Sequence, residues 1–286
     1  MNDFVSPSSS NVTDGPFPAR AIKTCCAKFY AGEAARLLLG DSSHPGGDRL
    51  TERLGRALAL GPADRVLDVA CGDGHSALVL AREFGCSVVG VDYSPLNIRR
   101  AAQAARAAGL EGRVQFCCGD GETLPVATGA FGVVVCECAF CTFPDKQSGA
   151  REMRRALARG GRLGLSDVTL ERPLPPDLRQ LATWVMCIAD ARRGADYQVI
   201  LQEAGFAQFT QGDHSWALRS IVGDAGRRLL AVEAAHKLGV LPGIELDLVA
   251  AKGMLRRVAE FIEVGGAGYV LLTASAEPSP LSVEPD

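Results

Sequence analysis

"RVLDVACGDGHSA", residues 65–77, is an apolar run that ends at Asp68, turns through Gly72 and Gly74, and continues with helix formers. The run reads as a buried strand, and "HSALVLAREFG" behind it as a helix. Glycines at such a turn let the backbone approach a ligand closely, and a helix N-terminus offers unpaired N–H groups to it.

The same alternation continues downstream. "SVVGVDY" (87–93), "RVQFCCGD" (113–120), "FGVVVCECAF" (131–140) and "RLGLSDVTL" (162–170) read as strands. "PLNIRRAAQAARAAG" (95–109) and "SGAREMRRALARGG" (148–161) read as helices between them. Near-continuous apolar strands alternating with helices imply a parallel sheet covered on both faces. "LPPDLRQLATWVMCIA" and "DYQVILQEAGF" predict two further helices, "AQFTQGDHSWAL" a strand, 218–262 a helical insertion, and "GYVLLTAS" a last strand. Upstream, "AIKTCCAKFYAGEAARLLLG" and "LTERLGRALAL" predict two helices joined by the turn "DSSHPGG". The expected fold class is therefore α/β: a Rossmann-like, doubly wound, mostly parallel sheet of about seven strands. The expected organisation is a disordered tail over 1–20, N-terminal helices or lid over 21–60, a core over 61–217, the insertion and final strand over 218–275, and a disordered tail over 276–286.

Acidic residues close several strands. Asp92, with Tyr93 beside it, ends the second strand 18 residues beyond Gly74, where it can accept hydrogen bonds from a ribose diol. Asp120, Gly121 and Glu122 end the third strand at the same edge, and Glu137 lies near the end of the fourth. The turn lacks the G-x-G-x-x-G pyrophosphate fingerprint, which disfavours a nicotinamide or flavin enzyme.

With those residues in view, the chain resembles the class I methyltransferases that use S-adenosylmethionine, over about residues 50–210. Their first motif usually reads E/D-x-G-x-G-x-G, and Ala70 stands here at its first glycine. The resemblance implies that Asp92 holds the ribose and that Asp120 and Gly121 flank the adenine. It also implies that the turn Asp68-Val-Ala70-Cys71-Gly72-Asp-Gly74 underlies the methionine. Tyr30 reads either as core packing or as a lid contact to that methionine, and His44 either as part of a lid or as filler in its turn.

Ten cysteines in a chain with no apolar signal region in its first 20 residues are expected to be reduced, which places the protein in the cytoplasm. Packing accounts for Cys86 inside "CSVVGVD". In "FGVVVCECAF" alternation puts Cys136 and Cys138 on one face and Glu137 on the other. Cys138 and Cys141 then lie at the cofactor rim, and at most one of Cys117 and Cys118 faces it. The C-x-C-x₂-C at 136–141 has no second cysteine or histidine pair at structural zinc spacing.

"CTFPDKQSGAREMRRALARGGRLGLSDVTLERPLPPDL" followed by "CIADARRGADYQVILQEAGF" is similar to the arsenite methyltransferases. That similarity implies that Cys187 is an arsenic-binding cysteine and that Cys25 or Cys26 serves as the family's N-terminal one; Cys138 and Cys141, by their place at the rim, are the other candidates. No cysteine follows Cys187, and Cys71 sits nearer the turn than the family's counterpart. The implied partner is a small-molecule or metalloid substrate, free or as a thiol conjugate. Two other readings stand beside this one. The chain could methylate an organic thiol or carbon acid with Glu137 or His44 as base, or act as a thiol or metal sensor without catalysis. A formal charge of −3 without long charge blocks argues against a nucleic-acid partner, and no run of about 18 apolar residues suggests a membrane span.

Overall fold

Sheet order follows from where the apolar strands can find cover. Among the described residues, β1 (Arg65–Val69), β2 (Ser87–Asp92), β3 (Val114–Cys118), β4 (Phe131–Glu137), β5 (Leu157–Leu170), β6 (Phe206–Asp213) and β7 (Ala267–Ala276) form one sheet in the order β3-β2-β1-β4-β5-β7-β6. The first five pair in parallel, while β7 runs antiparallel to both β5 and β6. The computed structural model describes residues 18–40, 44–178, 187–188, 190–237 and 247–276. The expected tails over 1–17 and 277–286, residues 41–43 of the turn, 179–186 and 189 of the helix after "LPP", and 238–246 of the insertion lie outside them.

β1 has β2 on one side and β4 on the other, so the chain reverses direction across the sheet at β1. A crevice opens at such a switch point, outside the carboxyl ends of the strands. Val66, Leu67, Val133, Val134, Val135, Leu163 and Leu165 are fully buried, as both-face cover requires. Helices α4 (His75–Phe84) and α5 (Pro95–Ala107) form the β1–β2 and β2–β3 crossovers. α5 starts where expected of a Ser-Pro pair: Ser94 Oγ accepts from Asn97 N at 3.3 Å, and Pro95 opens the first turn. α6 (Lys146–Ala156) is capped by Asp145, which accepts from Ser148 N at 2.9 Å.

Three boundaries differ from expectation. The first predicted helix is two, α1 (Ala19–Tyr30) and α2 (Glu33–Leu39), broken where Gly32 is extended with φ of −83° and ψ of 159°. Glycine is a poor helix former, so the break falls on it. The helix expected to reach residue 161 stops at Ala156, because Leu157 is already extended and Gly160 is left-handed. The insertion helix begins at Ser215 rather than 218 and continues to Lys237; a second helix spans Leu248–Glu263. That first insertion helix packs on α2, with Arg228 donating to the carbonyl of Leu38 at 3.2 Å. The insertion thus braces the N-terminal helices. Among the described residues no helix is long and apolar enough to cross a membrane.

Candidate active site

The crevice above β1, β2 and β4 encloses about 1120 Å³, part of it open to solvent. Each flanking strand ends in a buried carboxylate. Asp68 is 2% exposed, and its Oδ2 has no hydrogen-bond partner among the described residues. Burial, with Glu137 and Asp92 nearby, pushes its pKa well above the usual carboxylate range. Asp92 Oδ2 accepts from Gly72 N at 3.0 Å, while its Oδ1 accepts from Ser94 N at 2.8 Å and Asn97 Nδ2 at 3.2 Å. Burial raises its pKa despite those donors. Glu137 accepts from Thr51 Oγ1 at 2.9 Å and Ser166 Oγ at 3.1 Å, with His44 Nε2 3.9 Å away. Thr51 lies on α3 (Gly47–Ala57), so the N-terminal region reaches into the site.

Backbone geometry explains the turn. Ala70 has φ of 60° and Gly72 φ of 56°, both left-handed, and a Cβ added at Gly72 would meet nothing within 4 Å. Gly74 plays a different part: its φ is 84°, and it lets α4 pack closely on Phe116 and Ala101 rather than lining the crevice.

α1 forms the roof. Lys23 Nζ donates to Asp120 Oδ2 at 2.7 Å and to Glu122 Oε2. Asp120 and Gly121 line the crevice, whereas Glu122 turns away to Lys23 and accepts from Asp145 N at 2.8 Å. Cys26 and Tyr30 face the crevice from the same helix, and His44 and Tyr93 line it too. His44 is buried, bonded to Thr51 Oγ1 at 3.3 Å and Ser76 Oγ at 3.2 Å. It is therefore part of the wall, not filler in a turn.

The cysteines divide into groups. β4 ends at Glu137, and Cys138 leaves it with φ of 52°, so the expected shared face for Cys136 and Cys138 does not exist. Cys136 is fully buried in the sheet, while Cys138 lines the crevice. Cys141 follows in a tight turn, Phe140–Thr142, and is buried. Cys187, also left-handed with φ of 63°, arrives from the far side of the chain. Its sulfur lies 3.1 Å from Tyr30 Oη and 3.3 Å from the Cys138 carbonyl oxygen. Hydrogen bonds from Cys138 and Cys141, with a further one from Tyr30, hold the Cys187 thiol well below its ordinary range. The interaction with Cys187 raises Cys138, and burial raises Cys141. Cys26 is pushed up to about 12 by burial, with Cys187 and Cys25 among its neighbours.

The remaining thiols stand apart. Cys25 shares α1 but, like Cys141 and Cys187, does not line the crevice. Cys71 lines the turn among Asp68, Asp92 and Cys117, not with Cys187. Cys117 and Cys118 end β3, which pairs with β2 rather than β4, and neither lines the crevice. Cys86 is buried, its sulfur 3.4 Å from the Leu80 carbonyl oxygen. Among the described residues no group of three or more His, Cys, Asp or Glu side chains is arranged to hold a metal ion. Cys187 interacts with both Cys138 and Cys141, and the three do not form an open cage.

Two residues of the site carried no recognisable signal. Asp167, fully buried, accepts from Cys141 N at 2.8 Å and Val168 N at 2.7 Å; burial raises it to about 7, with Cys187 adding to the shift. Lys146 supports the same turn from the other side. Both lie inside quoted motifs, Ser-Asp-Val and Pro-Asp-Lys, but a short polar string does not reveal which backbone atoms it will meet.

The crevice fits S-adenosylmethionine. Asp68 Oδ2, where β1 enters the glycine turn, and Asn97 Oδ1, in the first turn of α5, are buried acceptors without partners among the described residues, and both residues line the crevice. Such acceptors call for a ligand rich in donors. Three buried carboxylates, Asp68, Asp92 and Glu137, call for one carrying positive charge.

Comparison with known proteins agrees. A family model described as a methyltransferase domain matches residues 60–205. The chain is 31% identical over 241 residues to 27-O-demethylrifamycin SV methyltransferase of Amycolatopsis mediterranei, covering 79% of this chain and 82% of that one. It is 34% identical over 151 residues to the arsenite methyltransferase of Halobacterium salinarum, covering 52% of this chain but 38% of that one. Among solved structures, the [4+2]-cyclase SpnF superposes with a TM-score of 0.71 at 23% identity, covering 91% of this chain and 96% of that one, which is a likeness of fold alone. A strand order centred on β1, a carboxylate-lined crevice over its glycine turn and these matches place the chain in the class I S-adenosylmethionine-dependent methyltransferase family.

Proposed function

We propose that the methyl acceptor is a soft, thiophilic nucleophile of the trivalent arsenic class, held by Cys187, Cys138 and Cys141, with Cys26 at the crevice wall. The observation that carries this reading is backbone strain at two of the clustered thiols: Cys138 and Cys187 are both left-handed, with φ of 52° and 63°. A non-glycine residue pays roughly 1–2 kcal/mol there, and such strain persists where surrounding structure imposes it, often at functional sites.

The chemistry suits those residues. Trivalent arsenic prefers sulfur ligands, as other soft centres do. The Cys138 and Cys141 thiols each give a proton to the arsenic hydroxide they replace, which leaves as water, while Cys187, held as a thiolate, displaces a hydroxide that takes its proton from solvent; binding needs no separate base. Arsenic bound by three sulfurs keeps a lone pair, and that lone pair is the nucleophile. S-adenosylmethionine supplies an electrophilic methyl group on its sulfonium sulfur. Asp92 would hold the ribose diol, Asp68 and Asn97 would accept donors of the bound cofactor, and α1 would exclude water above it. Catalysis then rests on positioning and on exclusion of water.

A second reading has its own support. The rifamycin-type relative spans more of this chain than the arsenite-type one and bears the name of an organic acceptor. Under that reading the buried His44–Glu137 pair supplies the base. Incubation with methyl-labelled S-adenosylmethionine and, in parallel, arsenite, small thiols and quinols separates the two. Labelled arsenic supports the first; label on an organic acceptor alone supports the second.

A further inference from the structure

We propose that Lys146 and Asp190 form a positioning clamp that sets the Cys141 and Cys187 sulfurs against each other; this rests on the thiol-site reading above. Lys146 is 3% exposed, and its ammonium group has three protein acceptors. Nζ donates to the Cys141 carbonyl at 2.8 Å, to the Phe143 carbonyl at 3.1 Å and to Asp190 Oδ2 at 2.5 Å. An ammonium has three donors, so these contacts saturate it. Asp190 lies three residues after Cys187, and its other oxygen accepts from Arg192 at 2.9 Å. One buried cation thereby joins the turn that carries Cys141 to the segment that carries Cys187.

The turn is gripped from both sides. Asp167 accepts from Cys141 N while Lys146 donates to Cys141 O, so both backbone polar groups of Cys141 end on buried charges. Tight turns leave carbonyls unpaired, and a backbone or neutral side-chain donor could satisfy them. A buried ion pair is a poor choice for stability alone, since apolar residues of similar volume usually serve as well. What it adds is direction: it fixes the distance between two segments 44 residues apart. Lys146 does not touch the acceptor or the cofactor; it acts through the thiols.

The test uses the full chain carrying Lys146→Met, Lys146→Arg, and the apolar pair Lys146→Met with Asp190→Leu. Thiol separation is read with dibromobimane, which fluoresces on bridging two neighbouring thiols, and the bridged residues are located by mass spectrometry. Wild type should yield a bridge from Cys187 to Cys141 or Cys138. Lys146→Met should lose it and raise the KM for arsenite about tenfold or more, as small misplacements do, with cofactor affinity unchanged. Lys146→Arg should recover part of both. The apolar pair should regain thermal stability but neither the bridge nor the KM, which a purely structural ion pair would restore. Bridging and KM within about twofold of wild type in Lys146→Met, their recovery in the apolar pair, or no bridge in wild type overturns the clamp. A wild-type bridge without arsenite turnover leaves the clamp standing and removes the arsenite assignment.

Discussion

The hydroxyl of Tyr30 lies 3.1 Å from the sulfur of Cys187, across 157 positions of sequence. This contact ties the roof helix to the thiol cluster. Tyr30→Phe should remove a donor to the Cys187 sulfur and raise its pKa. The change should be read from thiolate absorbance against pH, with Cys187→Ser subtracted. An unchanged titration would break the link between roof and thiol.

Lys23 latches that roof from its other end through Asp120 and Glu122. The pairs are only part-buried, so each is of modest strength and screened by salt. Lys23→Met should speed release of bound cofactor several-fold, about the effect of 1 kcal/mol. High salt should do the same to wild type. Stopped-flow displacement measures both; equal release rates would show that the roof is held elsewhere.

Asp92 anchors cofactor and turn together. Asp92→Ala should weaken S-adenosylmethionine binding by at least about 1.5 kcal/mol, the scale of hydrogen bonds to a charged group. It should also lower the melting temperature, because Gly72 N, Ser94 N and Asn97 Nδ2 all lose their acceptor. Calorimetry showing unchanged affinity would remove Asp92 from the site.

Ala70 offers a stability test of the same turn. Its φ of 60° is a conformation that glycine adopts without a Cβ penalty. The left-handed cost to alanine, roughly 1–2 kcal/mol, exceeds the loss from a freer unfolded chain, about 0.4–1 kcal/mol. Ala70→Gly should therefore stabilise the protein by up to about 1.6 kcal/mol. A lower melting temperature would show that the alanine methyl packs to advantage.

Those turn and strand-end residues were legible because their physics is local. Asp68, Asp92 and Asp120 close strands whose apolar runs are plain in the sequence, and parallel strands deliver their ends to one edge. The thiol cluster was legible only in part. Alternation predicts where Cys138 points only while the strand lasts, and it stops at Glu137. Nothing local says that Cys187 meets Tyr30, or that Lys146 meets Asp190. Such contacts depend on how separate crossovers stack, which sequence spacing does not encode. Gly32 was a visible helix breaker inside a pattern that otherwise read as one helix.

Asp167 predicts a pH dependence. Burial raises its pKa from 3.8 to about 7. The folded state therefore binds this proton more tightly than the unfolded chain, and the slope of stability with pH is negative between those values. The contribution of Asp167 is full below 3.8 and lost as pH rises through about 7. Asp167→Asn should flatten that decline, although its amide will face the Cys141 or Val168 N–H and lower stability overall. Denaturant midpoints across that range check it; an undiminished slope in the variant would assign the effect to another group.

The most direct test of the thiol-held acceptor is arsenite methylation by Cys187→Ser, with Cys86→Ser as a packing control. Serine is near in size to cysteine but a harder and far less acidic ligand. The account predicts an intact fold, unchanged S-adenosylmethionine affinity and arsenite methylation at background for Cys187→Ser, with Cys86→Ser altering stability only. Full arsenite turnover by Cys187→Ser, or none by wild type beside methylation of an organic thiol or carbon acid, would contradict it.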